Sequence, residues 1–555
     1  MENSPRKEPV RLARQPGRAL PAIALSLLSP VAFSQGTGYW HTSGKQILDS
    51  NGQVVRIAGV NWYGFETADS LAHGLWAQDY KTVLNTIKAN GYNVIRIPFS
   101  NQMVESNPVP TNFTSFANGA AANTALVGQT ALADLDTLIA YAGSIGLRVI
   151  LDNHRSEAGN SNEASGLWYT SAYPQANWVA DWQTLAARYS ASQFTFNGNP
   201  TVIGVDLRNE PHSNGSSGSC WTGDTGAGGC QESLTARNWP VAATTAGNAV
   251  LAINPHLLVF VEGVDCYSGV CGWQGGNLIG VGSHPVTLSA ANQVVYSAHD
   301  YGPNLFQQSW FNANTTASSL NAVWNQYWGY ISSGGTAPVW VGEFGTTNNT
   351  TDLQNTAAGS QGQWFQSLVG YLQANPAIQW TYWALNGEDS YGLLDSNYDQ
   401  TPASALKQTL LAGIQSPLSG GSSSGGGSSG GSGSGGSGSS GGSSGGGGGF
   451  ACHITYTVSS QWPGGFGAAI TLTNTGTTAI TSWALTWTFA NGQTVTQLWN
   501  GNATQSGANV SVTNESYNGS IAAGGSYSGM GFNGTWNSTT NAVPTSFAVN
   551  GVACQ

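Results

Sequence analysis

Between Gln35 and Leu418 the chain repeats one pattern: a short apolar run, a polar or glycine-rich stretch, then apolar positions at helical spacing. The runs are Val54–Val60, Val94–Pro98, Arg148–Asp152, Val202–Leu207, Leu257–Val261, Val294–Ala298, Val339–Gly342 and Trp380–Ala384. Runs this short and this continuously apolar predict strands covered on both faces, as in a parallel sheet. The plainest helices between them are Asp79–Ala89, stopped by Asn90 and Gly91, and Ala131–Ser144, stopped by Gly146. Strand-like runs alternating with helices over this length predict an α/β fold, a (β/α)₈ TIM barrel with some long loops. A doubly wound open sheet is the alternative, but no G-x-G-x-x-G follows the first strand.

The pattern changes twice more. From Phe450 to Gln555 the helical period disappears, and alternating segments (Ala468–Thr473, Ala484–Phe489, Val510–Val512) separated by Gly, Asn and Ser predict a small all-β sandwich. Residues 419–449 are almost entirely Gly and Ser, a flexible linker whose span is on the order of 30 Å. At the other end, Arg6, Lys7, Arg11, Arg14 and Arg18 precede the apolar stretch Ala19–Phe33, and Ala32-Phe33-Ser34 suits cleavage after Ser34. That stretch is short for a membrane span and contains Pro21 and Pro30. The expected organisation is a secretory signal (1–34), a barrel (35–418), the linker (419–449) and a sandwich (450–555), in a secreted, extracellular monomer.

Composition narrows the partners. A formal net charge of -11 argues against nucleic acid and anionic membrane. The chain has 21 Trp and 20 Tyr against 16 Lys and Arg, which suits neutral polar ligands that stack on rings. Six cysteines fit an oxidising compartment. Sequence alone leaves their connectivity open, but their placement suggests Cys220–Cys230, Cys266–Cys271 and Cys452–Cys554. The last would close a loop of about 100 residues, worth up to roughly 4.7 kcal/mol in the chain-entropy model. No C-x-x-C or clustered His supports zinc, and Asp152 with His154 lacks a third ligand, so no metal and no cofactor are expected.

A barrel of this kind carries its functional residues at the C-terminal ends of its strands. The sequence places chemistry there repeatedly: Arg96, then Asp152-Asn153-His154, Asn209-Glu210, His299-Asp300-Tyr301, Glu343 and Trp383. Glu210 alone could be a loop cap held by Arg208. Glu343 changes that reading, because strands 4 and 7 face each other across a barrel mouth. Two carboxylates are what glycosidic cleavage needs: a proton donor to the leaving oxygen, and a nucleophile or base. A retaining reaction sets them about 5–5.5 Å apart, and repulsion between them is expected to raise the pKa of one.

The motifs Ile95–Ser100 (IRIPFS), Asp152–Arg155 (DNHR), Asp206–Pro211 (DLRNEP), Ala298–Pro303 (AHDYGP), Val341–Gly345 (VGEFG) and Tyr382–Gly387 (YWALNG) together resemble family 5 glycoside hydrolases, secreted bacterial endoglucanases above all. The resemblance implies Glu210 as acid/base and Glu343 as nucleophile. By the same match Arg96, His154, Asn209, His299, Tyr301 and Trp383 complete the site, with Gln308 and Trp273 as weaker candidates for sugar contacts. Asp152, Asp206, Glu262, Asp300 and Glu388 are read as network or loop carboxylates. The segment Cys452–Cys554 is similar to family 2 carbohydrate-binding modules, whose exposed aromatic strip maps to Trp462, Trp499 and Tyr517; Trp483, Trp487 and Trp536 are read as core or edge. The implied function is a retaining endo-β-1,4-glucanase acting on cellulose or another β-glucan. Specificity for mannan, xyloglucan or mixed-linkage glucan is the alternative within the class, and a non-catalytic cellulose-binding protein is the alternative outside it.

Overall fold

Eight parallel strands close into a barrel in the computed structural model, which describes residues 36–226, 229–398, 402–415, 451–462, 464–514 and 518–554. The strands are β1 (Ala58–Asn61), β2 (Val94–Ser100), β3 (Arg148–Arg155), β4 (Val202–Asp206), β5 (Leu258–Glu262), β6 (Val294–His299), β7 (Val339–Glu343) and β8 (Gln379–Tyr382). Each pairs with the next, and β8 pairs with β1. The segments expected to be signal (1–34) and linker (419–449) lie outside the described residues. So does Tyr517, and so do the side chains of Trp462 and Trp499. Among the described residues, no helix is long and apolar enough to cross a membrane.

The first apolar run is divided. Val54–Val55 pairs into a three-stranded antiparallel sheet with His41–Ser43 and Gln46–Leu48, and β1 starts only at Ala58. Arg56 interrupts the run by reaching the Leu372 carbonyl at 2.9 Å. The third run is longer than its apolar part: β3 continues through Asp152, Asn153 and His154, which are strand residues rather than loop residues. Helices fall where their stop signals predict, with α1 at Tyr80–Ala89, capped by the Asp79 side chain on the Lys81 N–H, and α2 at Ala131–Ser144.

Strand alternation builds the barrel interior in layers. At the bottom, Val94, Ile150, Leu258, Phe260, Val295 and Trp340 pack with Trp40, Ile47, Val55 and Ile57 from the N-terminal sheet. Gly204 admits the ring of Phe260, since a Cβ there would come within 2.6 Å of it. Two residues further along β2, β3 and β5, the same inward positions become Arg96, Asp152 and Glu262, and β4 adds Asp206. The layer above the apolar plug is therefore ionic, and it is buried.

The second compact unit is a sandwich. One sheet orders β9 (Cys452–Trp462), β10 (Gly465–Asn474), β15 (Ser526–Thr535) and β12 (Thr494–Trp499). The other orders β13 (Asn502–Ser506), β14 (Asn509–Thr513), β11 (Ala484–Thr488), β16 (Phe547–Val549) and β17 (Val552–Cys554). Trp483 and Trp487 are buried in its core and Trp536 packs on the edge of it. All six cysteines are paired, Cys220 with Cys230, Cys266 with Cys271, and Cys452 with Cys554.

Candidate active site

Arg96 organises the ionic layer. Its Nε donates to Asp206 at 2.9 Å, while Nη2 lies 3.1 Å from Asp152 and 3.2 Å from Glu262. Nη1 donates to Glu343 at 2.5 Å and to Asn61 Oδ1 at 3.1 Å. One guanidinium thus faces four carboxylates without solvent, and its position over the Trp340 ring ties the layer to the apolar plug. Burial disfavours the Arg96 cation, but the surrounding acids outweigh it and hold the proton firmly. A single cation does not neutralise the group: burial and the Glu262 charge push the Asp206 carboxyl well above the usual range. Asp152, Asp206 and Glu262 come close enough to suggest a metal cage, but the guanidinium already occupies the cation's place.

Glu343, the last residue of β7, is gripped on both oxygens, Oε1 by Arg96 and Oε2 by the Tyr301 hydroxyl at 2.8 Å. Glu210 lies beyond β4 in a left-handed conformation (φ 47°) that costs a non-glycine residue about 1–3 kcal/mol. Its Oε1 meets His299 Nδ1 at 3.0 Å, and its Oε2 accepts from Asn162 at 2.8 Å. Oxygens of Glu210 and Glu343 and a ring nitrogen of His299 all lie within 4.8 Å of one another. The expectation that mutual repulsion lifts one carboxyl is not met at Glu210. Burial alone would raise it, but the His299 hydrogen bond, the charges of His299 and His154, and the Asn162 amide hold it below the usual range. Arg208, the local alternative partner, turns away to Asn153 and Glu163.

Around this pair the structure gathers most of the residues singled out in the sequence. Asn209 gives its Oδ1 to Arg96 at 3.1 Å, which leaves its NH₂ as the free donor. His154 Nδ1 pairs with Asp152 at 2.7 Å, and its ring stacks on Trp383 at 5.5 Å. Trp383 is half-buried, stacks on Tyr63 at 5.4 Å on its way to His73 and Trp76, and is held by Asp389 at its Nε1. Trp273 is buried edge-on against Tyr301 at 6.1 Å. Gln308 sits in the loop after β6, where its carbonyl accepts the Phe311 N–H at 3.1 Å. Asp300 and Glu388 are the framework carboxylates expected: Asp300 accepts from Trp364, and Glu388 from Tyr398, with His73 Nδ1 2.9 Å away.

Three residues that touch Glu210 or its partners were not assigned chemistry from the sequence. Asn162 and Gln274 lie on long loops after β3 and β5, where nothing in the local pattern marks them. Glu262 ends an apolar run and so did carry the strand-end signal.

A closed parallel barrel with two close carboxylates at the C-terminal ends of facing strands, one gripped by a guanidinium and a hydroxyl and the other by an imidazole, defines a glycoside hydrolase. Comparison with known proteins gives the family. Residues 48–389 match the cellulase family, glycosyl hydrolase family 5, and residues 452–554 match a cellulose binding domain. An endoglucanase of Paenibacillus polymyxa is 42% identical over 388 residues, covering 69% of this chain and 88% of the relative. The major extracellular endoglucanase of Xanthomonas campestris pv. campestris is 35% identical over 511 residues, covering 91% and 95%. The solved endocellulase of Pyrococcus horikoshii superposes with a TM-score of 0.58 at 28% identity, over 69% of this chain and all of that one. The chain belongs to glycosyl hydrolase family 5 and ends in a cellulose-binding domain.

Proposed function

We propose that the protein is a secreted endo-β-1,4-glucanase that cleaves internal bonds of cellulose or a related β-glucan with retention of configuration. The observation that carries the stereochemical part is the approach of the Glu210 and Glu343 oxygens to within 4.8 Å. Retaining enzymes hold their carboxyl groups about 5–5.5 Å apart, whereas inverting ones need about 6.5–9.5 Å to seat a water.

In the first step Glu343 attacks the anomeric carbon while the bond to the leaving sugar oxygen breaks and Glu210 protonates that oxygen. In the second, Glu210 takes a proton from water, and the hydroxide oxygen displaces Glu343 from the sugar. Arg96 and Tyr301, one on each oxygen, aim Glu343 at the anomeric carbon. The free NH₂ of Asn209 suits the sugar 2-OH, a contact that strengthens toward the transition state. Trp383 offers a ring face beside the scissile bond, with His154 fixed behind it by Asp152. The incoming leaving group displaces the Asn162 amide from Glu210, which removes one of the bonds favouring the anion. The protein is assigned as a monomer.

The first 34 residues are assigned to export and residues 419–449 to a tether that keeps the barrel near substrate held by the sandwich. Trp462, Trp499 and Tyr517 are assigned to the cellulose-contacting strip. Replacing Trp462 and Trp499 by Ala is expected to lower binding to insoluble cellulose by about tenfold, taking about 0.5–1.5 kcal/mol per lost ring contact, and to leave turnover of soluble carboxymethylcellulose unchanged. Pull-down on microcrystalline cellulose beside a reducing-sugar assay checks both halves. The specificity itself is tested by a panel of carboxymethylcellulose, mixed-linkage glucan, xyloglucan and mannan. Turnover of carboxymethylcellulose is expected; cleavage of mannan alone would overturn the glucanase reading.

A further inference from the structure

Glu262 is the buried last residue of β5. Its Oε2 accepts the backbone N–H of the left-handed Glu210 at 2.7 Å. Its Oε1 lies 3.1 Å from His299 Nε2 and 3.2 Å from Arg96 Nη2. Gly275 closes over it, since a Cβ there would come within 2.4 Å of Oε2. His299 therefore has a carboxylate on each ring nitrogen, Glu262 on Nε2 and Glu210 on Nδ1. Negative charge beside both ring nitrogens, with the hydrogen bond at Nδ1, favours the protonated imidazole. Moving one proton from His299 Nδ1 to Glu210 converts imidazolium and carboxylate into imidazole and carboxylic acid. Glu262 Oε1 stays within ion-pairing distance of His299 Nε2 before and after that move.

We propose that Glu262 is the positioning residue of the acid/base, holding Glu210 by its backbone and, through His299, holding the proton that Glu210 uses. The charged groups around this unit are Arg96 from β2, Asp152 and His154 from β3, Asp206 from β4, and Glu343 from β7. Burial opposes the His299 cation, but Glu262 and Glu343 outweigh it and raise its proton affinity well above that of free histidine. Arg96 keeps its bonds to Asp206 and Glu343 without Glu262, so loss of Glu262 falls on the proton-transfer side of the site.

The inference rests on Glu210 being the acid/base, and leaving-group dependence separates the two claims. The full chain carrying Glu262→Gln is assayed on phenyl β-cellobioside, whose leaving group needs a proton, and on 2,4-dinitrophenyl β-cellobioside, whose leaving group does not. Expected is a fall in kcat/KM of about 10²-fold on the phenyl substrate and of less than about tenfold on the dinitrophenyl one. The ratio of the two does not depend on the fraction folded, and Glu262→Asp, which keeps the charge but withdraws it, should move the ratio the same way by less. Equal losses on both substrates, or no loss, would overturn the role of Glu262. A Glu210→Ala enzyme with no leaving-group dependence would instead overturn the assignment of Glu210.

Discussion

Replacing Glu343 with Ala is expected to abolish turnover of carboxymethylcellulose, with kcat falling on the order of 10⁵-fold, or about 7 kcal/mol of transition-state stabilisation. The loss is this large because no neighbouring group can take over the attack: Tyr301 and Arg96 are donors, and both are aimed at the missing oxygens. Sodium azide should restore a measurable rate on dinitrophenyl β-cellobioside, since a small anion fits the space the carboxylate leaves. Its product would be the α-glycosyl azide, made by one displacement from the nucleophile's face. A β-azide product, or residual activity above about one per cent of the parent, would remove Glu343 from the nucleophile's role. The fold should survive. Arg96 retains three carboxylates, and one fewer negative charge in a buried ring of acids relieves repulsion, so the thermal midpoint should equal or exceed the parent's.

The barrel was legible because strand burial on two faces leaves a signature in sequence: eight short, mainly apolar runs, each overlapping a barrel strand, the first split between β1 and the N-terminal sheet. Boundaries were less so. Arg56 splits the first run through a contact with Leu372, far along the chain, and β3 extends through polar residues because the neighbouring strand pairs with them up to Arg155. The site was legible for a related reason. Ionisable residues at or just past the ends of apolar strands are rare in a chain with only 8% charged residues, so Arg96, Glu210, His299 and Glu343 stood out. What could not be read was the wiring. Glu262 and Asp206 look alike in sequence, each a carboxylate closing a strand. Only the fold shows that Asp206 braces Arg96 while Glu262 reaches the Glu210 backbone and His299. Asn162 and Gln274 belong to loops whose composition says only that they are polar. Nor did charge counting give the state of Glu210. Hydrogen bonds on both of its oxygens, invisible in sequence, outweigh the repulsion that two nearby glutamates imply.

Glu210→Ala should separate substrates by how much help their leaving group needs. On carboxymethylcellulose, whose leaving sugar hydroxyl must be protonated as the bond breaks, the rate is expected to fall about 10³-fold, within the 10²–10⁴ range of general acid catalysis. On 2,4-dinitrophenyl β-cellobioside kcat/KM should be nearly intact, because Glu343 remains gripped by Arg96 and Tyr301 and forms the glycosyl-enzyme without assistance. The second step then lacks its base, so the intermediate should accumulate, with a burst of dinitrophenol and a low KM. Azide, which needs no deprotonation, should enter where the carboxylate stood and release β-glycosyl azide by a second displacement, giving net retention. The opposite configurations from the Glu210 and Glu343 variants would place each carboxylate on its own face of the sugar ring. An α-azide from Glu210→Ala would show that water and leaving group do not share that face, and an inverting mechanism would have to replace the retaining one despite the short separation of the two carboxylates.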